Sequence, residues 1–286
     1  MKRISIILIC SSLLFAGCNP EGNSQLPDVS QEGTTVVKAD IESLLLGQET
    51  RVWPEGAYIG VFGSEKGVNE KYVLKRADKG LASADFYGPE VVGKAIAAYY
   101  PWSETFTGRA GAMPVDLTPN QDYADTAALV IFQQYCPTAY ANMQDGGMKF
   151  FYPFGMLRVR VELFDILKVQ RITFTSGDVA VAGKGVILSD GSIKMEGAGV
   201  KTVQLDCGEG IESLRDEAFT DFYITLLPGK YADAVLVIYA VGEDPVVCTL
   251  NGITVPRIDA SDYKLASVTV KSGEPDGFIT HEQEFD

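Results

Sequence analysis

Met156-Leu157-Arg158-Val159-Arg160-Val161-Glu162-Leu163 sets apolar Leu157, Val159, Val161 and Leu163 against polar Arg158, Arg160 and Glu162. Alternation with period two places neighbouring side chains on opposite faces of a sheet, so this stretch predicts a strand with one buried face. Upstream, short β-branched and aromatic runs recur at residues 34–41, 57–62, 72–74, 94–100, 127–132 and 148–154. Downstream they continue at 169–174, 179–181, 185–188, 192–195, 202–205, 222–227, 234–241, 246–250 and 266–270. Clusters of Gly, Pro and Asp separate them, and residues 103–128 read as a long loop punctuated by Gly108, Gly111, Pro114 and Pro119. Closely spaced short strands of this kind predict an all-β chain of two tandem β-sandwich domains with few short helices. Residues 213–219 are the one candidate helical turn. The N-terminal sandwich is assigned to residues 34–165 and the C-terminal sandwich, with a polar tail, to residues 166–286. One continuous sandwich is the alternative.

The composition narrows the function. Of 286 residues, 46% are hydrophobic and 22% charged, as in globular proteins with a substantial core. The formal net charge is −14, which repels phosphate backbones and argues against a nucleic-acid partner. The single histidine, His281, lies in a polar stretch near the C-terminus, where a packed Ser/His/Asp or Cys/His constellation is hard to build. Five cysteines are present, at positions 10, 18, 136, 207 and 248, without a CxxC spacing. Zinc binding is therefore not indicated. Cys207 and Cys248 form either a disulfide or two buried thiols acting as small hydrophobes. The chain reads as a non-enzyme with no catalytic residues, no cofactor and no metal site; a carboxylate-based glycosidase ranks last among the readings.

The first residues carry an address. Lys2 and Arg3 precede a mostly apolar run from residue 6 to 15, which is too short to span a bilayer, and Ala16-Gly17 then lead directly into Cys18. This reads as a bacterial lipoprotein signal over residues 1–17, with Cys18 as the lipid attachment point. Residues 18–33 are polar and rich in Gly, Pro and Ser, as a flexible tether requires. The expected location is the cell surface or outer membrane, held there by outer-membrane lipid on Cys18.

Thr50-Arg51-Val52-Trp53-Pro54-Glu55-Gly56-Ala57-Tyr58-Ile59-Gly60-Val61-Phe62, followed by Ala97-Ala98-Tyr99-Tyr100-Pro101-Trp102, carries a family resemblance. With residues 156–163 and Leu226-Leu227-Pro228-Gly229-Lys230-Tyr231, this order resembles the fimbrillin-like proteins of Bacteroidales, which are surface pilus subunits and Mfa-like adhesins. The resemblance covers roughly residues 35–270. It implies two sandwiches of transthyretin-like topology and export as a lipoprotein. It also implies cleavage after a basic residue near the start of the N-terminal domain. Loss of the first strand opens a groove that a neighbouring pilus subunit fills with a strand of its own, an instance of strand addition at a sheet edge. Arg51 occupies the matching place, with Lys38 a second basic site and residues 34–46 the removable strand. Arg51 as an unprocessed surface arginine in a turn is the other reading.

The alternative function is a monomeric, lipid-anchored surface protein that binds host or bacterial glycans or proteins through loops such as residues 101–126. Trp102, just beyond Pro101, is the aromatic candidate for ligand contact. The C-terminal residues 278–286 read either as an acidic, solvated tail or as a donor strand, whose faces are less apolar than that role requires.

Overall fold

Leu157, Val159 and Val161 are fully buried while Arg158 and Arg160 are half-buried, so the alternation places one face of this strand in the core. The computed structural model describes residues 34–41, 52–65, 68–91, 93–126, 128–144, 147–162, 168–213, 219–258, 265–271 and 283–285. In chain order the elements begin with β1 (Thr34–Asp40), β2 (Tyr58–Gly63), β3 (Glu70–Leu74), β4 (Ser83–Pro89), β5 (Ala95–Tyr100), β6 (Met113–Leu117) and β7 (Asn120–Asp122). Then come α1 (Ala128–Tyr135), β8 (Ala139–Gln144), β9 (Gly147–Phe151), β10 (Gly155–Glu162), β11 (Lys168–Ser176), β12 (Gly183–Ile187) and β13 (Ile193–Met195). The last are β14 (Thr202–Glu212), β15 (Thr220–Leu226), β16 (Gly229–Ala240), β17 (Val246–Val255), β18 (Ala266–Lys271) and β19 (Gln283–Phe285).

The all-β expectation holds, and the N-terminal strands do more than stack. They close into a barrel in the order β1-β4-β3-β2-β5-β8-β9. The remaining strands form three open sheets: β15-β10-β18-β19, β17-β16-β11-β14-β7 and β13-β12-β6. Pairing crosses the sequence break expected at residues 165 and 166. β10 lies antiparallel to β15 and parallel to β18, β6 pairs with β12, and β7 runs parallel to β14.

Three segments differ from their sequence reading. Residues 127–132 were expected as a strand, but the chain forms α1, because Ile131, Phe132, Tyr135 and Cys136 are buried with helical spacing. The loop predicted over 103–128 contains β6 and β7. β6 alternates buried Met113, Val115 and Leu117 with exposed Pro114 and Asp116. Among the described residues it pairs on one side only, an edge position of the kind where a strand tolerates proline. Part of the C-terminal tail, Gln283–Phe285, pairs antiparallel with β18. Most of the candidate turn at 213–219 lies outside the described residues.

The core is one continuous apolar cluster. Cys136, Cys207 and Cys248 are buried free thiols. β16 and β11 separate the strands carrying Cys248 and Cys207. At about 4.8 Å per strand their Cα atoms stand roughly 14 Å apart, beyond the reach of a disulfide.

Candidate functional site

β1 is the strand on which barrel closure depends. It pairs antiparallel with β4 along its whole length, from Thr34 opposite Pro89 to Asp40 opposite Ser83. On its other side it meets β9 in a short parallel seam, Ala39 with Met148 and Asp40 with Lys149. Val37, Ala39 and Ile41 turn inward and are buried, while Val36 and Lys38 face outward. At the seam the backbones come very close. A Cβ on Gly147 (φ +140°) would lie 2.6 Å from the Lys38 carbonyl oxygen, so this position of β9 demands glycine.

Trp53 lies beneath the seam and is fully buried. Its ring meets Phe86 of β4 edge-on at 4.7 Å, Phe150 of β9 at 5.4 Å and Tyr100 of β5 at 5.1 Å. The two strands that flank β1 are therefore tied together through this indole. The indole N–H donates to the Ala39 carbonyl of β1 at 3.2 Å. The Trp53 backbone is held independently of β1: its N–H donates to the Leu81 carbonyl and its carbonyl accepts from the Gly80 N–H, both at 2.9 Å. The turn at residues 54–56 then aims the chain into β2. The Ala57 N–H donates to the Pro54 carbonyl at 3.2 Å, with Gly56 in the left-handed region at φ +74°.

Of the residues singled out in the sequence, Cys18 and Arg51 lie outside the described residues, as do residues 42–50 and His281. Trp102 is half-buried; the Lys71 ammonium rests 4.4 Å above its ring and 3.9 Å above that of Tyr58. Among the described residues, no group of three or more His, Cys, Asp or Glu is placed to hold a metal. Nor is any helix among them long and apolar enough to cross a membrane. Sequence reasoning missed β4, one of the two partners of β1. The available signal was the burial-type alternation of Ala84 and Phe86, obscured by the turn-forming Asp85, Gly88 and Pro89.

No protein-family model matches the chain, and no curated protein matches it in sequence. Solved structures do resemble it. A candidate cell adhesion protein from Bacteroides ovatus superposes with a TM-score of 0.55 at 14% identity, covering 88% of this chain and 96% of its own. A candidate cell adhesion protein from Bacteroides uniformis gives 0.51 at 12% identity, covering 89% and 99%. At these identities the likeness is one of fold.

Proposed function

We propose that this chain is a structural or adhesive subunit of a bacterial surface pilus, exported as a lipoprotein and assembled by β-strand exchange. The observation that carries the reading is the position of β1: it closes the barrel, and all of it precedes Arg51 in the chain. Hydrolysis of the Arg51–Val52 peptide bond cuts β1 away from every other strand. The strand is then held only by non-covalent contacts: its ladders to β4 and β9, its buried side chains and the Trp53 indole bond to the Ala39 carbonyl. Full burial of Val37 and Ile41 stabilises by about 1.5–3 kcal/mol each. A strand from a neighbouring subunit with apolar residues at alternate positions makes the same main-chain bonds and fills the same pockets.

Trp53 gives the processed barrel a reason to keep its shape. It follows the cut by two residues, and its backbone bonds and three ring contacts do not involve β1. The slot between β4 and β9 thus retains its floor when its occupant leaves. In this reading the lipid on Cys18 departs with the released segment, and the anchor serves export. The resemblance to fimbrillin-like proteins and the fold shared with candidate cell adhesion proteins support the same assignment.

Limited trypsin digestion tests it. The expected result is an early cut between Arg51 and Val52, then ladders that survive SDS without boiling, both abolished by Arg51→Gln. In cells, Cys18→Ser is expected to remove palmitate labelling of the precursor. A clean cut at this bond that leaves only monomer at high protein concentration would sink polymerisation by strand exchange.

A further inference from the structure

A second feature lies away from the barrel seam. The chain leaving β7 (Tyr123, Asp125), the end of β14 (Glu212), Phe219 just before β15 and the first half of β15 (Asp221, Tyr223) surround an open cleft of about 460 Å³. Phe222 and Ile224 are buried in the core, so Asp221 and Tyr223 stand on the opposite face of β15.

The cleft is built, not merely vacant space between side chains. Arg160 of β10 lies directly opposite Asp221 in the ladder and grips it with two bonds, Nε to Oδ1 at 2.8 Å and Nη2 to Oδ2 at 3.0 Å. The same guanidinium lies 4.5 Å above the Phe219 ring, which remains 37% exposed. Tyr123 is steadied by Phe222, with ring centroids 5.4 Å apart. Asp125 and Glu212 are exposed carboxylates on the rim. Aromatic faces and hydrogen-bond acceptors thus converge on one concavity, which is the composition of a small-ligand site.

We propose that this cleft binds a neutral oligosaccharide, a reading that rests on the adhesive assignment above and gives it a contact surface. A pyranose ring offers an apolar C–H face that stacks on an aromatic π-face, and hydroxyl pairs that donate to carboxylates. Tyr123, Phe219 and Tyr223 supply the first partner, and Asp125 and Glu212 the second. Acidic sugars are disfavoured by those carboxylates and by a net charge of −14. A cationic side chain is disfavoured because Arg160 already occupies the position over Phe219 and against Asp221. Trp102 does not line this cleft.

The test uses the full, unprocessed chain on an array carrying neutral, sialylated and uronic-acid glycans. Binding confined to neutral glycans is expected, weakened about tenfold or more by Phe219→Ala and Tyr123→Ala and unchanged by Trp102→Ala. Asp125→Asn and Glu212→Gln, exposed and remote from the core, are expected to weaken the same glycans with an unchanged melting temperature. The proposal is overturned by binding that survives all four cleft variants, by preference for acidic glycans, by capture of a lysine-rich peptide instead, or by no glycan binding. Because the readout is on unprocessed monomer, its failure leaves strand exchange standing, and a failed SDS ladder leaves the cleft standing.

Discussion

The barrel and the open sheets treat unpaired strand edges in different ways. In the barrel, β1 joins β4 to β9, and with it in place no edge remains. In the open sheets each edge is ended separately. β7 and β19 are three residues long, and β6 carries Pro114. β15 is ended by a single side chain. The buried Gln121 carboxamide accepts from the Thr225 N–H at 2.9 Å and donates to the Thr225 carbonyl at 2.7 Å, replacing the peptide group of a missing neighbour. β17 has ten residues and no charge, and among the described residues no strand pairs with its outer side; Gly252, at φ +85°, interrupts it. Natural sheets blunt their edges by such local means, or abolish them by closure. Closure by one strand has one property the local devices lack: a single peptide-bond cut beyond that strand leaves the closure to non-covalent contacts alone.

The contrast is broken most severely at Trp53. Trp53→Ala removes the side chain that ties β4, β5 and β9 together and is expected to cost about 3–5 kcal/mol in urea unfolding. The loss is expected to be larger after tryptic processing than before, because β1 then no longer supports the seam from the other side. An equal loss in both forms would show that the indole has no special part in holding the slot.

At the sheet edge the corresponding single residue is Gln121. Gln121→Leu keeps the volume roughly constant but leaves the buried N–H and C=O of Thr225 without their partner. Each orphaned group costs about 1–3 kcal/mol, so the expected loss for the two is about 2–6 kcal/mol. Amide exchange at Thr225 is expected to accelerate while the barrel amides of β2 and β5 keep their protection. Unchanged exchange at Thr225 would mean the edge is covered by something other than this amide.

The sequence disclosed local patterns well and partnerships poorly. Leu157, Val159 and Val161 announced the buried face of β10 because side-chain alternation is local. Nothing local announces that Val159 pairs with Val268 in one direction and Phe222 in the other. β4 and β6 went unread because Pro89, Gly88 and Pro114 look like turn residues; they are tolerated at strand ends and edges. α1 was mistaken for a strand because a short apolar run carries no period of its own; the burial of Ile131, Phe132, Tyr135 and Cys136 supplies it. The place of β1 was half legible, since residues 34–46 and Trp53 stood out, but its neighbours β4 and β9 did not stand out as its walls. The cleft beside Phe219 was not legible as a unit, because Tyr123 and Phe219 are brought together by the pairing of β7 with β14 and the placement of β15 beside them.

The smallest expected effect separates the two regions by pH. Burial pushes the Cys207 thiol up to about 12, with nearby Asp206 adding to it, and burial pushes Cys248 up to about 11. Both lie in the five-stranded open sheet, and the described barrel strands contain no thiol. An unfolded thiol titrates near its ordinary value of 9.0, so the folded state binds the extra proton above that pH. The stabilisation is therefore complete below about pH 9 and is lost as pH rises toward the folded values. At pH 9, half-ionisation in the unfolded chain lowers stability by on the order of 0.4 kcal/mol per thiol. The buried tyrosines, whose ordinary value is 10.0, contribute only at higher pH. Urea midpoints between pH 8 and 9.5 are expected to fall in the native sequence and to fall less steeply in the Cys207→Ala/Cys248→Ala variant, where burial still pushes the Cys136 thiol up. Equal slopes in the two proteins would remove the thiols as the cause. A slope matched by faster exchange in β11 and β16, with β2 and β5 unaffected, would locate the alkaline weakness in the open sheet.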